Sequence, residues 1–190
     1  MEFRKKDPQR STEVEYQSDY HKYRDQLRSD FSCRCGYCDD VDYPRVESYE
    51  IDHFVPVTID KNKETDYNNL VYACRSCNNA KRKKWPTTDS AKFNNGKEGW
   101  IDPCDSEYSR QFERDSYGAI TPKTEIGKWM YENLNLWKSQ HSLLWCIENI
   151  GKKLDELDNL YAKSKDSDIL QKINKINHIY RSMMQRLYEL

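Results

Sequence analysis

Two Cys-x-x-Cys pairs, Cys35/Cys38 and Cys74/Cys77, with the dipeptide Asp52-His53 between them, are the residues of this chain best suited to chemistry. Four thiolates in two such pairs can close a tetrahedral zinc site. Asp52 is a hard oxygen ligand for a magnesium-like ion, and His53 is suited to taking a proton from water near neutral pH. The spacing predicts two metals in one short segment, a structural zinc on the cysteines and a catalytic ion beside them. Neighbouring side chains of a regular strand point to opposite faces, so Asp52 and His53 share one site only if the chain twists out of the strand there. Pro56 suits such a break.

Two asparagines extend the pattern. Asn69 stands where a polar loop meets an apolar run, and its amide can bond backbone groups to hold that loop closed. Asn78 follows Cys77, so a zinc ion would fix its place at the start of a helix. Arg75 and the run Lys81, Arg82, Lys83, Lys84 are expected to grip phosphates. Bland readings stand beside these: Asp52-His53 as a surface pair, Asn78 as a helix N-cap, and the basic run as solvated charge.

These residues need a scaffold, and composition limits it. The chain has 190 residues, 36% hydrophobic and 33% charged, which allows one domain with an appendage and a modest core that a metal would staple. A net charge of -1 gives no global pull toward nucleic acid, so attraction to phosphate must be local. The opening MEFRKKDPQR lacks an apolar segment and no later run reaches membrane-spanning length, so a cytoplasmic protein with no membrane partner is expected. In a reducing compartment seven cysteines favour metal over disulfides. Cys33, Cys104 and Cys146 lack ligand spacing.

The elements follow from periodicity. Residues 1–15 read as a loose polar arm. Tyr16, Tyr20, Tyr23, Leu27 and Phe31 fall on one face of a helix starting near Ser18 or Asp19 and are expected to pack on the core. A strand over 48–57 turning at Pro56, a polar loop, a strand at 70–73 and a helix from the second cysteine pair to Lys84 come next. Residues 87–121 are loop-rich, with a small hairpin pairing 111–114 with 117–120. From Thr124 the pattern is helical. Leu143, Ile147, Ile150, Leu154, Leu157 and Tyr161, then Leu170, Ile173, Ile176, Tyr180, Met183, Leu187 and Leu190, form the seam of an antiparallel helical hairpin that is expected to pack on itself and on the zinc-bearing core, with docking of a partner subunit as the alternative. The fold class is α+β, divided as 1–32, 33–86, 87–123 and 124–190.

The ordered set Cys-x-x-Cys, Asp-His-x-x-Pro, Asn-Leu, Cys-x-x-Cys-Asn-x-x-Lys resembles the HNH endonucleases, over about residues 33–86. The resemblance implies a ββα-metal core with His53 as general base and Asp52 and Asn78 holding a magnesium or manganese ion. It also implies Asn69 as the loop organiser and Cys35, Cys38, Cys74 and Cys77 as zinc ligands. Asn78 stands where many members have a final histidine, and its oxygen favours magnesium or manganese over softer ions. The substrate implied is DNA, with RNA the neighbouring possibility, cut to 5′-phosphate and 3′-hydroxyl ends. A non-catalytic zinc module that binds nucleic acid or protein is the competing reading. An HNH core with a helical tail also resembles small nucleases of bacterial anti-phage systems such as Septu, which implies a partner, such as an ATPase subunit, on the C-terminal helices.

Overall fold

The computed structural model describes residues 1–43 and 45–189. The chain divides into two compact units, Met1–Trp137 and Lys138–Leu190.

In the first unit β1 (Tyr49–His53) pairs antiparallel with β2 (Leu70–Cys74), with Tyr49 opposite Cys74 and His53 opposite Leu70. Every residue of β2 is buried, as its unbroken apolar run requires. The helix α2 (Arg75–Lys81) starts at the next residue. Its N-cap is Cys74, whose Sγ accepts from the Cys77 amide, and Asn78 lies inside the helix. Arg82 turns to φ 48° and returns its N–H to the Asn78 carbonyl, so α2 stops short of Lys84. β1 likewise stops at His53, before Pro56.

The turn around Cys35 and Cys38 docks on this sheet. Gly36 donates its N–H to the Tyr72 carbonyl at 2.8 Å. A Cβ at Gly36 would stand 2.7 Å from the Phe31 ring and 2.8 Å from Val71, so the close approach requires glycine.

The tyrosine stripe divides. Tyr20–Tyr23 form a 3-10 turn capped by Asp19, and α1 (Arg24–Asp30) continues it. Tyr23, Leu27 and Phe31 are buried, whereas Tyr16 lies before the helix and is 71% exposed. The N-terminal arm is not loose. Phe3 and Arg4 are buried, Arg10 reaches the Leu70 carbonyl and both oxygens of Asp102, and Ser11 bonds Asp30. Guanidinium groups bridge several carbonyls and carboxylates at once, which straps polar chain to a surface that apolar residues cannot hold.

The connector adds α3 (Ser106–Arg110) and a hairpin of β3 (Phe112–Arg114) and β4 (Ile120–Pro122). Buried Arg114 donates to the carbonyls of Phe3, Gly118 and Cys38, tying arm, hairpin and cysteine turn together. The helix α4 (Glu125–Asn133) buries Ile126 and Met130 and belongs to the first unit, although the periodicity grouped it with the tail.

The second unit holds α5 (Ser139–Ser164) and α6 (Ser167–Tyr188). Leu143, Leu144 and Ile147 cluster with Leu187, while Leu154 and Leu157 cluster with Ile173, so the start of α5 meets the end of α6. Leu190 lies outside the described residues. No helix among the described residues is long and apolar enough to cross a membrane.

Candidate active site and metal centre

Cys35, Cys38, Cys74 and Cys77 are buried, and their sulfur atoms all lie within 4.8 Å of one another. A Zn–S bond of about 2.3 Å in a tetrahedron puts sulfurs roughly 3.8 Å apart. Cys38 Sγ and Cys74 Sγ are 3.8 Å apart. The cluster is therefore compatible with a structural zinc. Burial opposes a thiolate at Cys35, but hydrogen bonds from the other three cysteines outweigh it and hold its pKa well below the usual thiol range. Cys33 stands outside the cluster.

The end of β1 carries the other candidates, and it places Asp52 and His53 on different surroundings. Asp52 is buried. Its Oδ2 accepts from the Tyr37 hydroxyl at 2.5 Å and lies 2.9 Å from Lys81 Nζ. Lys81 is wholly buried, donates to the His53 carbonyl at 2.8 Å, and stands 5.8 Å from the centre of the Trp100 ring. Lys81 is thus an internal cation rather than a phosphate grip at the surface. The helix period explains this: Asn78 and Lys81, three apart, share the face of α2 turned to β1. Burial, and then the negative charge of Asp52, push the Tyr37 phenol well above its ordinary pKa, so it remains a donor.

His53 is partly exposed. Its Nε2 lies 2.8 Å from the Glu64 carbonyl, and the Tyr20 ring meets it edge-on at 4.7 Å. A carbonyl can only accept, so a neutral His53 carries its proton on Nε2 and keeps the lone pair of Nδ1.

Asn69 fixes the loop that supplies that carbonyl. Its Oδ1 accepts from the Val55 N–H at 2.8 Å, and its Nδ2 donates to the carbonyls of Val55 and Lys63 at 3.0 and 3.1 Å. Lys63 immediately precedes Glu64.

Asn78 Nδ2 donates to Glu50 Oε2 at 2.7 Å, and Arg75 Nε donates to Glu50 Oε1 at 2.8 Å. The Arg75 side chain is 61% exposed, so its pairing with Glu50 contributes at most about 1 kcal/mol. Arg82, Lys83 and Lys84 are exposed; Arg82 bonds the Asn79 carbonyl and Lys84 that of Asn133.

The donor chemistry fits a hard divalent ion in kind, since Asp52 and Asn78 both offer oxygen. Both donors recorded at Asp52 address Oδ2, and a carboxylate has lone pairs enough for a further partner. The Lys81 ammonium competes for the same charge.

Sequence reasoning passed over Glu50, Tyr37 and Glu64. Glu50 was within reach, because strand alternation puts it on the same face as Asp52. Tyr37 carries no such signal, and Glu64 acts through its backbone, where the side chain is silent.

Residues 35–84 match the family model of the HNH endonucleases. No curated protein and no solved structure matches the chain. The matched segment runs from the first zinc-type cysteine through β1, β2 and α2 to the basic run, and its family suggests a nuclease that binds metal and acts on nucleic acid.

Proposed function

We propose that this protein is a metal-dependent endonuclease of the HNH type that hydrolyses phosphodiester bonds in DNA. The observation that carries the reading is the hydrogen bond from His53 Nε2 to the Glu64 carbonyl, inside the segment that matches the family. It leaves Nδ1 free to act as a general base. His53 Nδ1 takes a proton from water, the water oxygen bonds to phosphorus, and the bond to the 3′ oxygen breaks, that oxygen taking a proton from solvent to end as the 3′-hydroxyl. Asn69 holds the loop that positions the Glu64 carbonyl, and Tyr37 with Lys81 fixes the Asp52 carboxylate. Asp52 and Asn78 would hold the magnesium or manganese ion, which supplies charge stabilisation to the phosphate and the leaving oxygen. Arg75, Arg82, Lys83 and Lys84 would contact the backbone without reading bases, so binding should weaken steeply with salt. Zinc on Cys35, Cys38, Cys74 and Cys77 builds the site without entering the chemistry.

The reading extends to a cytoplasmic effector of anti-phage defence, docked on a partner through the last two helices, where Leu160 and Ile179 are 53% and 48% exposed. One observation favours the alternative, a zinc-stabilised binding module without catalysis: the Asp52 carboxylate is already paired with Lys81 in a buried site. Incubation of the zinc-loaded protein with supercoiled plasmid, a single-stranded RNA, and magnesium or manganese separates the two. The nuclease reading expects metal-dependent nicks or breaks in DNA ending in 5′-phosphate. Binding with no cleavage of either polymer, alone or with a partner present, supports the module instead.

A further inference from the structure

Glu50 accepts from Asn78 on one carboxylate oxygen and from Arg75 on the other. All three side chains lie at the start of α2 or on the strand facing it. A carboxylate accepts and does not donate, so the arm of the Asn78 amide 2.7 Å from Glu50 Oε2 is its –NH2. The carbonyl arm, Oδ1, is thereby turned away from Glu50. Only the oxygen can ligate a cation, and an amide free to rotate must give up that freedom when it does, whereas one already fixed by Glu50 does not.

We propose that Glu50 is a positioning residue for the catalytic ion: it fixes the rotation of the Asn78 amide so that Oδ1 is the atom offered to the metal. The inference rests on the nuclease reading above and adds to it a residue that holds a ligand without being one. Glu50 itself is committed twice over, to Arg75 and to Asn78, and Arg75 neutralises its charge. Partners that orient metal ligands in this way commonly contribute 10- to 100-fold in metal affinity.

The test is manganese binding by the full-length, zinc-loaded protein, read as free Mn2+ by electron paramagnetic resonance, with zinc content and the melting curve as controls for the fold. Glu50→Leu removes the acceptor and should weaken Mn2+ binding about 10- to 100-fold. Glu50→Gln keeps a carbonyl oxygen that can accept from Asn78, and should remain within a few-fold of wild type. In an Asn78→Asp background either arm of the side chain is an oxygen, so Glu50→Leu should then cost little. Wild-type affinity in Glu50→Leu overturns the inference, as does Glu50→Gln falling as far as Glu50→Leu, which would make Glu50 a ligand. An equal loss in the Asn78→Asp background overturns it too. Wild-type protein that neither binds Mn2+ nor cleaves overturns the nuclease reading and this inference together.

Discussion

Lys81 Nζ lies 2.9 Å from the Asp52 carboxylate and 2.8 Å from the His53 carbonyl, so one buried cation holds both residues at the end of β1. Removing one partner of a buried ion pair leaves the other charge uncompensated, at a cost of about 3–5 kcal/mol. Lys81→Met should therefore lose stability on that scale in urea unfolding of the zinc-loaded protein. The double variant Lys81→Met with Asp52→Leu should recover much of the loss, since no buried charge remains. Additive losses would show that the two side chains act independently.

Zinc removal should unfold the centre of the first unit. Structural zinc contributes about 10–16 kcal/mol to the folding of small zinc domains at neutral pH, which rivals or exceeds the whole marginal stability of a domain with a thin core. Metal analysis should find zinc bound to folded protein. Strong chelation, or Cys74→Ser, should abolish the cooperative melt. Folded protein free of metal would contradict this.

Much of this architecture is legible in the sequence, and the rest is hidden for physical reasons. The apolar run of β2 and the cysteine spacing announce themselves, because full burial and metal geometry restrict residue type. The N-terminal arm misleads: its charges read as solvated, yet Arg10 and Arg4 are structural because their guanidinium groups reach buried carbonyls. Lys81 misleads for the same reason, since a lysine in a basic run carries no mark that its counter-charge waits on a neighbouring strand. The start near Asp19 is legible because that residue caps the first turn, whereas Tyr16, which has the spacing of the stripe, lies before the cap and is exposed. α4 shares the helical pattern of the tail, and only packing assigns it to the first unit.

Asn69→Ala should slow cleavage without touching the substrate. It strips partners from the backbone groups of Val55 and from the Lys63 carbonyl, for a stability loss of about 1–3 kcal/mol. Cleavage should fall less than on removing His53, because the imidazole remains but its carbonyl anchor shifts. Urea unfolding and a cleavage time course on the same preparation separate the two effects.

Asp30 gives the fold a defined acid sensitivity. Burial opposes its ionisation, but hydrogen bonds from Tyr67, Ser11 and Gln26 outweigh it and hold its pKa below the ordinary carboxylate value. A depressed folded pKa means stability present above the unfolded value, near about pH 4, and lost as pH falls through the folded value. Asp30→Asn should be less stable than wild type at neutral pH, by about 1 kcal/mol or more from the weakened bonds, and the gap should close in acid. A gap that persists unchanged at low pH would rule out the ionised carboxylate as its source.

The account turns on His53, and the most direct measurement is the metal-dependent cleavage rate of plasmid DNA by wild-type protein and by His53→Ala at matched zinc content and melting temperature. A general base contributes about 10²- to 10⁴-fold, so the variant should lose at least that much while still binding DNA. Equal rates from the two proteins would contradict the account.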